Sequence, residues 1–180
     1  EKRGTAGVDD DGNGYIDDVS GWDFADAPGL PGSGDFLDRD SDPTDESGHG
    51  THVTGIIAAS VGNGLGIAGI APEVRVMPLR AGFNVSASGY LEDDDIAAAI
   101  VYAVENGARI INMSFGDPSP SHLLRDAVRY AADAGCVCVA AAGNEGSDEV
   151  FYPARSDETI AVAASDSAGR ILSFSNRGFS

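Results

Sequence analysis

Apolar runs alternate with amphipathic segments along most of this chain, and their spacing predicts its elements. Short apolar or alternating runs bounded by turn residues indicate strands, whereas apolar residues at helical spacing indicate helices. The expected strands are residues 74–80, 108–116, 136–146 and 159–164, with a last element at 171–176. The expected helices are residues 53–59, which we expect to be buried, 93–106 and 123–134, the last two closed by Gly107 and Gly135. This alternation predicts an α/β fold, with a doubly wound, mostly parallel sheet and helices on both faces.

Residues 1–48 differ from the rest of the chain because they are acidic and rich in predicted loops. A chain of 180 residues is long enough for one sizeable core. We therefore expect a single domain over residues 1–180, with an acidic, loop-rich segment at 1–48 and an α/β core at 49–180.

Charge, hydropathy and cysteine content narrow the class of protein. The net charge of −18 argues against nucleic-acid binding, which needs a basic face. No apolar run is long enough for a transmembrane helix. Cys136 and Cys138 stand two apart in a predicted strand, where their side chains point to one face and suit a disulfide poorly. We expect both to be free thiols.

Two histidines, His49 and His52, stand between glycines directly before the first predicted helix. A histidine at the start of a buried helix is held in a fixed geometry, and its pKa near neutrality suits a general base. The alternative is that one or both are hydrogen-bonded core residues.

Asn144 stands in the glycine turn that ends the predicted strand segment of residues 136–146, at the edge where open α/β sheets form their sites. In a cleft that excludes water, its side-chain amide could donate to an oxyanion and stabilise charge that develops in acyl transfer. An asparagine after a glycine is also ordinary turn chemistry. The preceding strand and the histidine block favour the oxyanion role.

The acidic start of the chain places side-chain oxygens near one another at Asp9, Asp11, Asn13 and Asp17, with a glycine at the sixth position, Gly14. Hard calcium ions prefer several oxygen ligands around a sharp turn, as at the start of an EF-hand. Ser20 stands where the EF-hand glutamate is expected, so a complete EF-hand is excluded. A calcium-stabilised loop and a solvated acidic turn both remain open.

The block Gly-His-Gly-Thr-His-Val at residues 48–53 resembles the active-site histidine segment of the subtilisin-like serine proteases, or subtilases. Further segments of this chain match the family in order, so the resemblance covers essentially all of it. It implies that His49 is the general base, that His52 is structural and that Asn144 is the oxyanion donor. It also implies a subtilisin-like version of the α/β fold, incomplete at both ends.

The resemblance assigns further roles to loops and strand ends. Residues 88–91 resemble the edge segment that pairs with substrate backbone, and the segments after two core strands resemble pocket walls. The implied substrate-binding residues are Gly89, Tyr90, Ser114, Phe115, Gly116, Ala142 and Gly143. Residues 61–67 resemble a calcium loop of the family. The expected metal ligands are Asp9, Asp11, Asn13, Asp17, the Asn63 side chain and the backbone carbonyls of Val61, Leu65 and Ile67.

Two members of the Asp-His-Ser triad are not recognised in this chain. The family's nucleophile motif, Gly-Thr-Ser-Met-Ala, does not occur, and no apolar strand runs into an Asp followed by Thr/Ser-Gly. Asp17 lies at a plausible distance before His49, but the neighbouring residues 9–14 resemble the cation loop that follows the catalytic aspartate. We therefore expect a central fragment of a catalytic domain that is inactive by itself.

The function implied by the resemblance is that of a secreted, calcium-assisted serine endopeptidase. Its substrates would be polypeptides, and a propeptide is a candidate partner. Two alternatives remain, a non-catalytic pseudoprotease and a calcium-binding interaction domain built on the acidic start. The spacing of His49 and His52 argues against a zinc protease, because it lacks the His-Glu-x-x-His pattern.

Overall fold

The computed structural model of this chain describes residues 4–27, 35–85 and 88–178. The chain forms two compact units, Glu1–Asp95 and Ile96–Ser180. The elements, in chain order, are β1 Trp22–Asp23, α1 His49–Ala58, β2 Leu79–Arg80, β3 Gly82–Val85, β4 Ser88–Leu91, α2 Asp93–Glu105, β5 Ile110–Met113, α3 His122–Asp133, β6 Val137–Ala141 and β7 Thr159–Val162.

The first unit contains two short strand pairs around an aromatic cluster. β1 pairs in parallel with β2, and β3 pairs antiparallel with β4. Phe36 and Phe83 pack with Ala25 and Ala27 in a buried cluster, and the rings of the two phenylalanines are 5.5 Å apart. Tyr90 on β4 stacks on Phe83 with a centroid separation of 6.0 Å. The hairpin is therefore attached to the core of this unit through its aromatic side chains.

The predicted strand at residues 74–80 is wrong for most of its length, because only Leu79 and Arg80 form β2. Alternation identifies residues that could lie in a sheet, but a strand also needs a hydrogen-bonding partner. β1 offers a partner for two residues only, and Val74 and Val76 remain exposed.

Helix α1 begins at His49, four residues before the predicted start, and none of its residues is buried. The prediction that this helix is buried is therefore wrong. Its small and apolar residues permit close packing, but burial requires an element that covers them. The glycine-rich loop that follows returns to the end of the helix. The amides of Gly69, Ile70 and Ala71 donate to the carbonyls of Ala59, Ile56 and Ile57.

The second unit is a parallel three-stranded sheet in the order β5-β6-β7. Met113, Cys138 and Ala140 lie on its buried face. α3 packs against β6 and buries an apolar stripe, which consists of Leu124, Ala127, Val128 and Ala131. Parallel strands connected through helices confirm the predicted α/β class.

The predicted ends of α2 and α3 are confirmed. Gly107 and Gly135 both have left-handed backbone, with φ values of 81° and 89°. After each glycine, the next amide donates back to the helix, from Ala108 to the Ala103 carbonyl and from Cys136 to the Ala131 carbonyl. This is the Schellman arrangement, which satisfies carbonyls that a helix end leaves unpaired.

The expected last element at residues 171–176 is neither a helix nor a strand. It forms turns, with a single bridge between Ser165 and Ile171. Both cysteines are free, as predicted, and the Cys136 thiol donates to the Ala108 carbonyl at 3.0 Å. None of the described helices is long and apolar enough to span a bilayer.

Candidate functional site

His49 is the first residue of α1, and the start of that helix is fixed by a carboxylate four residues earlier. The N-cap residue, Gly48, has left-handed backbone and no side chain with which to cap. The Asp45 carboxylate replaces it, because it accepts the Thr51 amide at 2.7 Å, the Thr51 hydroxyl at 2.8 Å and the Gly48 amide at 2.9 Å. Although partial burial acts to raise it, these hydrogen bonds lower the pKa of Asp45.

The imidazoles of His49 and His52 are both exposed. Within residues 4–27, 35–85 and 88–178, no side chain hydrogen-bonds the His49 ring. Asp17 instead accepts the Gly7 amide at 2.6 Å and has left-handed backbone, with φ of 60°. Within the described residues, the His49 imidazole is therefore accessible at a fixed helix start, and no carboxylate orients it.

A charge cluster around the buried pair Arg80 and Asp23 lies in the same unit and was not predicted from the sequence. The Arg80 guanidinium donates to Asp23 at 2.5 Å, to Asp35 at 2.7 Å and to Glu46 at 3.1 Å. Asp23 is fully buried, and this burial raises its pKa to about 6 against the opposing effects of the Ala25 amide and Arg80. Since Glu46 follows Asp45, the cluster ties the loop before His49 to β1 and β2. The available signal was an aspartate between Trp22 and Phe24, two aromatic residues that favour burial.

Asn144 lies in a turn directly after β6 and is exposed, so its side-chain amide is accessible. Its backbone amide donates to the Glu145 carboxylate at 2.8 Å. Gly143 before it has φ of 111°, a backbone conformation that favours glycine. A second asparagine, Asn176, contacts this turn from 29 to 31 residues later in the chain, so no local pattern in the sequence could reveal the contact.

The predicted pocket walls come together because β5 and β6 are neighbours. Ser114–Gly116 follow β5, and Ala142 and Gly143 follow β6. Residues 151–152 join the two ends: the Phe151 amide donates to the Ala142 carbonyl at 3.0 Å, and Asp117 and Tyr152 exchange two backbone hydrogen bonds. A Cβ on Gly116 would lie 3.1 Å from the Tyr152 carbonyl, which is a tight contact, so residues 151–152 pack closely against the end of β5.

Gly89 and Tyr90 lie on β4 in the first unit, and both are exposed. One edge of β4 pairs with β3, and the described two-stranded sheet contains no further strand on its other edge. Such an edge presents backbone groups that an extended peptide can pair with.

The two predicted calcium loops are ordered by their own side chains. Asp9 accepts amides from Gly12 and Gly14 at 2.7 and 2.9 Å, and the Gly14 bond is the largest cause of its lowered pKa. Asn63 accepts the Leu65 amide at 2.9 Å. Among the described residues, no three His, Cys, Asp or Glu side chains are grouped so as to hold a metal ion. An ion at residues 9–17 would therefore depend on amide and backbone carbonyl oxygens as well as carboxylates, whereas an ion at residues 61–67 would depend on amide and carbonyl oxygens alone. Both sites stay predictions.

Comparison with known proteins identifies relatives over most of this chain. The sequence model of the "Subtilase family" matches residues 32–180. A thermophilic serine proteinase of Bacillus sp. (strain AK1) is 49% identical over 144 residues, which cover 80% of this chain and 35% of that protein. Thermitase of Thermoactinomyces vulgaris is 41% identical over 149 residues, which cover 83% of this chain and 52% of thermitase.

Solved structures agree with these sequence relatives. A structure described as S41 psychrophilic protease superposes with a TM-score of 0.70 at 36% identity, covering 88% of this chain and 52% of the other. The S218A mutant of the protease domain of PatA superposes with a TM-score of 0.66 at 35% identity, covering 72% of this chain and 47% of the other. The chain thus spans about half the length, or less, of the relatives that it matches.

Proposed function

Because this chain belongs to the subtilase family of serine proteases, we propose that it supplies the general base and the oxyanion donor of a serine endopeptidase. His49 is the proposed base and Asn144 the proposed donor. The observation that carries this proposal is the exposed Asn144 amide at the carboxyl end of a parallel strand, beside the paired walls at 114–116 and 142–143. An open α/β sheet forms its site at this edge.

The proposed chemistry is acyl transfer. His49 takes the proton of a serine hydroxyl as its oxygen attacks the peptide carbonyl, and it returns that proton to the departing amine. The Asn144 amide donates to the oxyanion of each tetrahedral intermediate, and water releases the acyl group with His49 again as base. The serine and the orienting aspartate are to be sought outside this chain, because neither family motif occurs in it.

The proposed substrate is an extended polypeptide. Its backbone would pair with the open edge of β4 at Gly89 and Tyr90, in the way that peptides add a strand to a sheet. Ser114, Phe115 and Gly116 on one side and Ala142 and Gly143 on the other would line the pocket for the residue before the cleaved bond. We propose a secreted enzyme, with a propeptide as a candidate partner.

The test is to express the complete reading frame that contains this chain and to assay peptide hydrolysis. Loss of the base in subtilisin itself lowers kcat by about 10⁶-fold, and loss of the amide donor lowers it by about 10²–10³-fold. We expect His49→Ala and Asn144→Ala to follow these two scales. His122→Ala is the matched control for histidine loss, because His122 is exposed at the start of α3. Asn106→Ala, at the end of α2, is the control for amide loss.

The 180-residue chain alone is expected not to react with diisopropyl fluorophosphate, whereas the complete protein should be labelled. Labelling of the chain alone would contradict the assignment of the serine to another segment. A complete protein without hydrolysis or labelling would favour the pseudoprotease instead.

Calcium is proposed as a structural ion at the two loops, one with Asp9, Asp11, Asn13 and Asp17 and the other at residues 61–67. Thermal unfolding in calcium and in a chelator tests this, since an ion that binds only the folded state raises Tm. Asp9→Ala should reduce the calcium-dependent rise in Tm, whereas Asp38→Ala, at an exposed residue outside both loops, should leave that rise unchanged. A Tm that does not respond to calcium would contradict the proposal.

A further inference from the structure

The turn that carries Asn144 is bound along its length by a segment near the end of the chain. The Gly146 amide donates to the Phe174 carbonyl at 2.6 Å, the Asn176 amide to the Gly143 carbonyl at 2.9 Å, and the Arg177 amide to the Ser147 carbonyl at 2.9 Å. These three backbone hydrogen bonds join residues 174–177 to residues 143–147. The turn therefore depends on a distant segment for its backbone partners.

The side chain of Asn176 adds two bonds to the same turn. Its Oδ1 accepts the Glu145 amide at 2.9 Å and the Ser147 amide at 3.0 Å. Asn176 is fully buried, and its Nδ2 has no hydrogen-bond partner among the described residues. Exchanging the amide oxygen and nitrogen would place an NH2 group against two N–H donors, so the network determines the orientation. Because one buried side-chain oxygen accepts hydrogen bonds from two amides of the turn, we refer to Asn176 as the clamp and to residues 174–177 as the clamping segment.

The clamp fits closely around the residue before Asn144. A Cβ built on Gly143 would lie 2.2 Å from Asn176 Nδ2. The Asn176 side-chain amide therefore packs directly against the Gly143 backbone and leaves no space for a side chain at residue 143. The Gly143 carbonyl and the Glu145 amide, on either side of Asn144, both bond Asn176. The backbone of Asn144 is thus held from both sides while its side chain stays exposed.

The clamping segment is itself anchored to the sheet. The Ser175 hydroxyl oxygen accepts the Ala164 amide, just after β7, at 2.9 Å and donates to the Asn176 carbonyl at 3.1 Å. Ser175 is also buried. The position of Asn176 therefore follows the position of β7, the strand beside β6.

From these contacts we infer that Asn176 is a positioning residue for the oxyanion donor: it fixes the turn at residues 143–147 and thereby the direction of the Asn144 amide. The link to catalysis rests on the proposed function of Asn144. Catalysis by an oxyanion donor needs a preorganised direction, because a donor that reorients during the reaction loses its advantage. Misplacement of a catalytic group by about 1 Å can cost about 100-fold in rate.

The first experiment uses the 180-residue chain and needs no enzymatic activity. Amide hydrogen exchange and NMR follow the backbone amides of Glu145 and Ser147 and the side-chain amide of Asn144. Asn176→Leu keeps the approximate volume but removes the acceptor, so exchange at Glu145 and Ser147 should accelerate by about tenfold or more. Asn176→Asp keeps an oxygen for both amides and should preserve their protection and the Asn144 signals.

Val128→Ala is the matched control for loss of stability. Val128 is fully buried on α3, so its truncation destabilises the same unit at a residue outside both the turn at residues 143–147 and the segment at residues 174–177. It should leave the Asn144 side-chain signals unchanged. Equal effects of Asn176→Leu and Val128→Ala on Asn144, or equal effects of Asn176→Leu and Asn176→Asp, would overturn the inference.

The second experiment measures kinetics in the complete protein. Asn176→Leu should lower kcat by about 100-fold with little change in KM, because the donor acts in the transition state. Val128→Ala should leave kcat unchanged below its unfolding temperature. If Asn144→Ala leaves kcat unchanged, the proposed function fails, while the exchange experiment still decides whether Asn176 fixes the turn. If Asn144→Ala lowers kcat but Asn176→Leu does not, the positioning role is overturned.

Discussion

At the scale of single residues, Asp45 performs the function that the N-cap position of α1 cannot. Gly48 has no side chain, so the carboxylate of Asp45 accepts the amides and the hydroxyl at the helix start. The sequence predicts the helix but not this capping interaction. A side-chain cap is normally a Ser, Thr, Asp or Asn at the N-cap position itself, and this chain has a glycine there.

We expect Asp45→Ala to lower the free energy of unfolding by about 1 kcal/mol and to accelerate amide exchange at Thr51, because the orphan amides lose their acceptor. Asp38→Ala is the control, since Asp38 is exposed. Because the pKa of Asp45 is lowered, its contribution is present above pH about 4 and is lost as the pH falls through the folded-state pKa. An Asp45→Ala variant as stable as Asp38→Ala would contradict the capping role.

Asp23 has the opposite pH dependence. Its pKa is raised to about 6 by burial, so the folded state binds a proton that the unfolded state, with a pKa of about 3.9, has already released. Ionised Asp23 faces Arg80, with Asp35 and Asp40 as further charges nearby. Its contribution to stability should therefore fall as the pH rises from about 4 to about 6.

The measurement for Asp23 is urea unfolding at several pH values, with the wild type compared with Asp23→Asn. The difference between the two proteins cancels other titrating groups. The wild type should lose stability relative to Asp23→Asn as the pH rises from about 4 to about 6, and the difference between the two proteins should be constant above that range. A difference that does not depend on pH would show that Asp23 titrates normally.

At the scale of elements, sequence reasoning succeeded where the signal is local. The ends of α2 and α3 were predicted because Gly107 and Gly135 adopt a left-handed conformation that other residues avoid. Sequence reasoning failed where the structure depends on hydrogen-bonding partners from other parts of the chain. Residues 74–78 alternate like a strand but lack a partner in the described sheet, and residues 171–176 form the turns whose neighbours include the Asn144 turn. The Asn176 clamp and the Arg80 cluster join residues that are far apart in sequence, so no window of the sequence contains them.

Two glycines, one with left-handed backbone at a helix end and one inside a helix, test whether local backbone conformation decides the effect of a substitution to alanine. Gly135→Ala should lower the free energy of unfolding by about 1–2 kcal/mol, because φ is 89° and alanine is strained there even though nothing lies within 4 Å. Gly55→Ala, inside α1 with open space around it, should raise stability by up to about 1 kcal/mol. Urea unfolding of both variants checks the pair. A stabilising Gly135→Ala would contradict a left-handed helix end in solution.

At the scale of the whole molecule, the family and the α/β class could be read from motifs and alternation, but the exposure of the sheet could not. Residues that pair across β5, β6 and β7 point to the same face of the sheet. One of the two faces carries the apolar residues Ile110, Val137 and Ile160, and all three are exposed. Alternation predicts which residues share a face, but burial of that face requires another element that packs on it, and alternation does not reveal whether one does. The burial of α1 was wrongly predicted for the same reason.

The exposed sheet face makes a last prediction about the 180-residue chain. A contiguous apolar surface binds hydrophobic dyes, whereas scattered apolar side chains do so weakly. We therefore expect fluorescence of anilinonaphthalene sulfonate with the wild type and less with Ile160→Thr, since threonine preserves strand propensity while it removes apolar surface. Ile171→Thr is the matched control, because Ile160 and Ile171 are 56% and 50% exposed but Ile171 lies outside the sheet. Equal loss of fluorescence in both variants would show that the dye reports scattered side chains rather than the sheet face.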